Sequence, residues 1–319
     1  MSVFRVIMIM MAGSLLPAAA CAAEAAGVPS AAVTAGTSIP WWGWCLLLFA
    51  TTFLIGIVAV IGGVGGGVLF VPIVSGFFPF HLDFVRGAGL LLALACALSS
   101  GPGLLQSGMA NLRLVIPLAL AASIASIIGA MLGMALPENV IETALGLTIM
   151  AISALMFFSK RSDFPVVDKQ DRLARFLDIS GVYHDPTLDR DVEWQVHRTP
   201  LGLVLFFGIG ILGGMFGLGA GWANVPVLNL VMGAPLKVAA ASSGFLISIA
   251  NTSAAWVYLN NGAVLAVVTV PSVMGIMLGA KIGQRLLKRV HATTVKRIVV
   301  VMLLLAGLRA LLKGTGFWA

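Results

Sequence analysis

The chain has 319 residues, of which 60% are hydrophobic and 10% are charged. Soluble domains carry about 25% charged residues, so a water-soluble fold could not cover this much apolar side-chain surface. The net charge of +7 comes from basic residues in short loops beside apolar runs, where they orient membrane proteins. The composition therefore predicts an all-α integral membrane protein in a lipid bilayer and argues against a nucleic-acid-binding function.

The first 23 residues have the pattern of a targeting segment. Arg5 precedes an apolar run from Val6 to Ala20, and small residues lead up to Glu24. The run is shorter than the about 20 residues that a membrane span needs. A cleaved signal peptide over residues 1–23 is the first interpretation, an uncleaved anchor the second and a lipid-modified Cys21 the third. The first two place residues 27–40 on the outer side of the membrane.

Apolar runs follow in two sets of four, separated by a polar stretch. They lie at 41–80, 85–106, 112–136 and 139–158, and at 201–234, 237–259, 263–284 and 294–313. The stretch 159–200 is rich in charges of both signs and has too few apolar residues for a core of its own. We therefore expect membrane repeats at 41–158 and 201–314, joined by a charged, solvated cytoplasmic connector with a short helix near Arg172 to Leu177.

The two sets are related by a shift of 154 residues, which indicates an internal duplication. The shift aligns Gly63, Gly65, Gly67 and Pro72 with Gly217, Gly219, Gly221 and Pro226, and Ser99 with Ser253. Single glycines are common packing residues in membrane helices, but a shared spacing over a long stretch is not expected by chance. The two prolines are interpreted as structural residues that kink or end a helix.

The first apolar run of each set is too long for a simple span. Residues 201–234 would form a helix of about 51 Å, against a hydrocarbon core of about 30 Å. A single crossing would also place two regions that contain many Lys and Arg residues, 159–200 and 281–297, on opposite sides of the membrane, against the usual rule for those residues. We therefore expect each run to turn back at its glycines. Each half then has five elements, and this odd number predicts that the second half is inverted relative to the first.

The glycine breaks are the predicted binding site. Non-helical backbone at membrane depth must be buried in protein or face water. Short helices leaving the breaks at Gly67 and Gly221 would direct the positive ends of their dipoles at the midplane, which favours an anion. The predicted substrate-binding residues are Gly63, Gly65, Gly67, Gly217, Gly219, Gly221, Asn224, Ser242, Ser243, Asn251, Ser253 and Ser99. Helix packing by the glycines, and hydrogen bonds from the hydroxyls to their own helices, are the alternative interpretations.

Acidic residues and histidines are expected only at or outside the edges of the apolar runs. This argues against a metal site, a proton relay or an embedded hydrolase, and no cofactor is expected. Arg86 and Lys237, at the starts of corresponding helices, could attract an anion or simply mark the membrane orientation. An inside-negative potential drives each anionic charge outward by about 2.3 kcal/mol per 100 mV, which favours export. The alternatives are a passive anion channel and a membrane-embedded accessory subunit of a redox system; a homo-oligomer is compatible with each.

The duplicated Gly-x-Gly-x-Gly-x-x-x-x-Pro resembles the motif of the sulfite exporter TauE/SafE family, also called the toluene-sulfonate uptake permease family. The serine-rich helix after it, Asn261-Gly262, and the Gly-Ala-x-x-Gly at 129–133 and 279–283 extend the resemblance, which covers Phe49 to Leu312. It implies a multi-pass permease of the bacterial inner membrane for sulfite, sulfonates, sulfoacetate or related organic anions. The signal-like N-terminus and the long connector depart from the simplest members.

Overall fold

The computed structural model describes residues 41–62, 65–78, 80–106, 110–158, 170–185, 190–219, 221–287, 303–304, 307–312 and 314–315. The predicted targeting segment 1–23 and Gly63 lie outside these residues. Within them the chain is predominantly helical. The predicted all-α class is therefore confirmed.

The first half contains two helices on either side of the first glycine break, α1 (Trp41–Gly62) and α2 (Gly66–Phe77). Three longer helices come next: α3 (Leu82–Gln106), α4 (Leu112–Ala135) and α5 (Glu138–Phe158). Helix α4 starts where the side chain of Asn111 accepts a hydrogen bond from the Leu114 backbone N–H at 3.0 Å, an N-cap arrangement. At 1.5 Å per residue, 20 or more residues reach across a hydrocarbon core of about 30 Å.

The second half repeats the order of the first four elements after the connector, and most of the fifth, predicted at 294–313, lies outside the described residues. It contains α7 (Thr199–Phe216), α8 (Gly221–Pro226), a π-helical turn (Val227–Val231), α9 (Leu236–Asn260) and α10 (Ala266–Leu287). Six of the described helices, α1, α3, α4, α7, α9 and α10, are long and apolar enough to cross a membrane. The chain is thus a multi-pass membrane protein.

Both glycine-broken segments return to the level at which they start. The indole of Trp44, near the start of α1, packs against Phe78 and Phe80, with ring centroids 5.8 and 6.0 Å apart. The backbone N–H of His197, just before α7, donates to the carbonyl oxygen of Met232, just after the π-helical turn, at 3.0 Å. Each segment therefore forms a helical hairpin with its tip at the glycines. The inverted orientation of the two halves in the membrane stays a prediction.

The hairpin helices pack against the other half of the chain. Helix α1 lies along α10, and α7 lies along α4, which are corresponding pairs under the proposed duplication. Glycines bring these backbones together: a Cβ on Gly279 would lie 2.1 Å from the carbonyl oxygen of Phe53, and one on Gly129 would lie 2.1 Å from that of Ile211. The Gly-Ala-x-x-Gly segments therefore form the two seams at which the halves interlock.

Helices α3 and α9 pack against each other between these seams. Ala93, Ala97 and Ile247 form one buried cluster there. Ala93 and Ile247 are 154 positions apart, as are Ala97 and Asn251. Corresponding positions of the two halves thus meet at this packing contact, against which the second hairpin tip also packs.

The connector is more ordered than the sequence analysis expected. Helix α6 (Arg172–Phe176) matches the expected short helix, but strands β1 (Ser180–Asp185) and β2 (Arg190–Gln195) form an antiparallel hairpin that was not predicted. The membrane helices complete the core of the connector, since Ala174, Ile179 and Val196 are buried in a cluster with residues of α4, α7 and α9. This is why a segment with few apolar residues can fold.

Candidate functional site

The tips of the two hairpins contact each other. A Cβ on Gly65, whose φ is +83°, would lie 3.9 Å from the Cα of Gly221. Helix α2 begins directly after Gly65, without a capping hydrogen bond from that residue, and α8 begins at Gly221. The first N–H groups of a helix have no acceptor within the helix and carry partial positive charge. Two such helix starts therefore lie side by side.

The predicted glycines fall into two groups by what surrounds them. A Cβ on Gly67 would lie 2.6 Å from the carbonyl oxygen of Leu218, and one on Gly217 would lie 2.3 Å from that of Arg86. Glycine is needed at these two positions for close backbone packing, which was the alternative interpretation of the motif. Gly219, whose φ is +69°, is closely packed as well, but against side chains: a Cβ there would lie 2.7 Å from the Cβ of Ala93 and 3.1 Å from the side-chain nitrogen of Asn251.

Two asparagine side chains near the second break are buried and have polar atoms without a hydrogen-bond partner among the described residues. Asn224, on α8, is 1% exposed, and neither its Nδ2 nor its Oδ1 has a partner among the described residues. Asn251, on α9, is 2% exposed, and its Nδ2 is likewise unpaired within that part of the chain. The buried Oγ of Ser99, on α3, also lacks a partner there. An unpaired buried polar group costs about 1–3 kcal/mol, so these donors are suited to a ligand that enters the site.

Other predicted hydroxyls have partners within the protein. Ser242 Oγ accepts the backbone N–H of Asn111 at 3.3 Å, and Ser253 Oγ donates to the carbonyl oxygen of Ile249, one turn earlier in its own helix, at 3.3 Å. Ser243 is buried in the first half of α9. Pro226 lies where α8 passes into the π-helical turn, whereas Pro72 lies inside α2, which continues to Phe77.

Arg86 is buried beside the second break instead of reaching the surface. Its side chain is 2% exposed. Nη1 donates to the carbonyl oxygens of Gly133 at 2.9 Å and Met215 at 3.1 Å, and Nη2 pairs with the carboxylate of Asp83. The residue therefore joins the start of α3 to the ends of α4 and α7, which neither interpretation from the sequence anticipated.

Tyr258 is a second buried contact at the same place and was missed in the sequence analysis. Its hydroxyl donates to the carbonyl oxygen of Gly214 at 3.1 Å and lies 3.2 Å from that of Met215, and its ring centroid is 6.0 Å from the guanidinium carbon of Arg86. Because a buried tyrosine in an apolar run usually needs a hydrogen-bond partner, the sequence alone could have marked Tyr258 as a contact residue.

Charged residues elsewhere qualify the expectation that carboxylates stay at the edges of the apolar runs. Glu142, one turn into α5, is 5% exposed and lines a small cavity of about 10 Å³ with Ser75 and Arg309.

The described residues contain no group of three or more His, Cys, Asp or Glu side chains that could hold a metal ion. A larger cavity of about 340 Å³ lies between the start of α4 and Ser180 of β1, away from the glycine breaks.

Comparison with known proteins gives one family and two relatives. The family model described as "Sulfite exporter TauE/SafE" matches residues 48–310. The "Probable membrane transporter protein YunE" of Bacillus subtilis (strain 168) is 24% identical over 277 residues, covering 84% of this chain and 98% of the relative. The "Probable membrane transporter protein ORF9" of Sinorhizobium sp is 26% identical over 266 residues, covering 83% and 91%. No solved structure matches the chain significantly.

Proposed function

The chain belongs to the sulfite exporter TauE/SafE family of membrane transporters, and on that premise we propose that it carries small oxyanions through the site between its two hairpin tips. The substrate class is sulfite, sulfonates, sulfoacetate or related organic anions, and the membrane is the bacterial inner membrane. The observation that carries the proposal is the pair of buried amides of Asn224 and Asn251, unpaired among the described residues, beside two helix starts.

The charge of the site fits one anion. Each helix N-terminus is equivalent to roughly half a positive charge, so two adjacent ends match about one negative charge. The amides of Asn224 and Asn251 and the hydroxyl of Ser99 add neutral donors that replace lost water. Hydrogen bonds from such donors to an ionised acceptor contribute about 1.5–3 kcal/mol each. An oxyanion with several acceptor oxygens can use more of these donors at once than a halide ion can.

Two features support a carrier over a passive channel. The tips contact each other directly at Gly65 and Gly221, and Gly67 packs against the backbone at Leu218. Such closed packing blocks a continuous aqueous path and must rearrange before an ion can pass. Export is the proposed direction, because the inside-negative potential already drives an anion outward by about 2.3 kcal/mol per charge at 100 mV.

The test is a flux and counterflow screen in proteoliposomes with the purified full chain. Sulfite, thiosulfate, sulfonates and small carboxylates are offered in turn, with protein-free liposomes as the blank. We expect saturable flux and counterflow with at least one sulfur oxyanion. Flux that rises linearly with concentration and shows no counterflow would assign the protein as a channel. Flux only with carboxylates would remove sulfur oxyanions from the substrate class.

The proposed binding site is tested by introducing a negative charge into it. Asn224→Asp and Asn251→Asp keep the side-chain size but place a carboxylate where the anion is proposed to bind. We expect at least a roughly 100-fold loss of transport in each variant, since a donor worth about 1.5–3 kcal/mol is lost and a like charge is added. Asn260→Asp makes the same change at the exposed end of α9 and serves as the control. Wild-type flux in both site variants would place the substrate elsewhere.

A further inference from the structure

The second hairpin helix, α7, ends in carbonyl groups that other helices bind. The last four carbonyl oxygens of an α-helix have no N–H partner within the helix. Met215 O lies 3.1 Å from Arg86 Nη1 of α3, and Gly214 O lies 3.1 Å from the hydroxyl of Tyr258 of α9. A cation is also favoured at this negative end of the helix dipole. Side chains of two different helices therefore hold the tip of the second hairpin.

These contacts cluster at one face of the bundle. Arg86 is near the start of α3, while Gly133 and Tyr258 are near the ends of α4 and α9. Ala93, which borders Gly219, is seven residues further along α3, or roughly 10 Å deeper at 1.5 Å per residue. The cluster thus lies between the proposed binding site and this face, which the loop charges predict to be the outer one.

The other hairpin has no counterpart of this pair in the sequence. Under the 154-residue shift, Arg86 corresponds to Ala240, and Tyr258 corresponds to Leu104. Neither alanine nor leucine has a side-chain donor for the carbonyl end of a helix. The Arg86–Tyr258 pair is therefore specific to the second hairpin in the sequence.

We propose that Arg86 and Tyr258 form a latch that closes the second hairpin toward the face at which α3 begins, and that this latch opens in each transport cycle. A carrier must expose its site to one side at a time. The latch consists of a small number of directional hydrogen bonds, so these bonds can break together. The Nε–H of Arg86 is buried without a partner among the described residues, which leaves a donor for a different acceptor in the open state. The inference rests on the chain being a carrier but not on which anion it moves.

The native Cys96 of α3 offers a reporter for opening. It is buried, and its Cβ lies 3.9 Å from where a Cβ on Gly66 would be, next to the first break. With Cys21 and Cys45 replaced by alanine, Cys96 is the sole thiol of the chain. Its labelling rate is measured with a membrane-impermeant maleimide, added to either face of vesicles that contain the full chain, without substrate.

The variants are Tyr258→Phe, which removes one hydroxyl and keeps the ring, and Arg86→Lys. Tyr183→Phe, in β1, and Arg175→Lys, in α6, make the same chemical changes in the connector and serve as controls. We expect labelling from the latch face to rise roughly five- to tenfold in the latch variants, the shift that losing one or two hydrogen bonds produces. Labelling from the opposite face should stay at the control rate.

Two results would overturn the latch. One is an unchanged labelling rate from the latch face in Tyr258→Phe, and the other is an equal rise from both faces, which indicates general loosening. If Arg86→Lys does not give a monodisperse protein in detergent, Tyr258→Phe decides the question, because its ring still fills the same space. Since no substrate is present, a failed latch and a failed anion assignment give separate results.

Discussion

The first and second hairpins differ on the C-terminal side of the glycine break. After Gly65, helix α2 runs without interruption for 12 residues and contains Pro72. After the second break, α8 lasts six residues to Pro226 and passes into a π-helical turn. That turn buries Asn229, whose Nδ2 donates to the carbonyl oxygen of Ala234 at 2.9 Å. Single π-helical turns are frequent at functional sites, and in the described part of the two hairpins only the second has one.

The polar side chains are distributed just as unevenly. Asn224 and Asn251 correspond to Phe70 and Ala97 in the first half under the 154-residue shift. Under the proposed duplication, both hairpins supply a helix start and close backbone packing. The two amides of the proposed site lie in the second half, and the latch contacts hold the second tip. The features common to both hairpins therefore maintain the fold, whereas the amides found in one half only are those proposed to bind the ligand.

The largest expected effect concerns how tightly each tip is packed. Gly217→Ala combines a φ of +67° with a Cβ that would lie 2.3 Å from the carbonyl oxygen of Arg86. We expect a loss of more than about 3 kcal/mol in the free energy of unfolding. Gly65→Ala, at the first tip, has the strained φ, but among the described residues the nearest atom to its Cβ would be the Cα of Gly221 at 3.9 Å, so it should lose about 1–3 kcal/mol. Thermal unfolding of the detergent-solubilised protein measures both.

Gly208→Ala is the matched control for these two changes. It lies on α7, and nothing among the described residues is within 4 Å of the added Cβ. Alanine is about 1 kcal/mol better than glycine in a helix, so this variant should unfold at the same temperature or slightly higher. If Gly65→Ala proves as damaging as Gly217→Ala, the two tips are packed alike and the proposed difference between them is wrong.

The next effect tests whether the amide donors to the ligand belong to one half. Asn251→Ala removes an amide worth about 1.5–3 kcal/mol to a bound anion, so we expect a roughly 10- to 100-fold fall in kcat/KM for transport. Adding Ala97→Asn restores an amide at the corresponding position of α3. We expect no recovery in the double variant, because Asn224 of α8 has no polar counterpart in the sequence of the first half. Recovery of transport would mean that the site is symmetric and that the second hairpin holds no special chemistry.

Much of this fold could be predicted because strong constraints act on it. Residues 201–234 are too long to cross a bilayer of fixed thickness once, and a single crossing would also conflict with the placement of Lys and Arg. The ends of the hairpin, at His197 and Met232, do lie together. The glycine spacing marked the breaks correctly. The connector could not be predicted in the same way, since β1 and β2 depend on a core supplied by distant helices.

For the candidate site, the sequence indicated where polar side chains lie but not how they pair. Sequence indicated which segments would carry polar side chains, but not that Ser242 would accept a hydrogen bond from Asn111 while Asn251 Nδ2 stays unpaired among the described residues. That difference depends on contacts between residues more than 100 positions apart. Arg86 looked like a surface charge near a helix start for the same reason: its partners, Gly133 and Met215, come from other helices.

The smallest expected effect compares two serines at corresponding positions of the two halves. Ser99 and Ser253 occupy equivalent positions, but the buried Oγ of Ser99 is unpaired within the described part of the chain, whereas Ser253 donates to Ile249 of its own helix. Ser99 is only partly buried, so its hydrogen bond to an ionised ligand should contribute about 1.5 kcal/mol, the lower end of the range for charged acceptors, and Ser99→Ala should raise KM roughly 10-fold. Ser253→Ala should change KM by less than about twofold, because a hydroxyl bonded to its own helix has little to offer a substrate. Equal shifts in KM, measured in the same proteoliposomes, would mean that the different pairing of the two hydroxyls does not decide which of them reaches the anion.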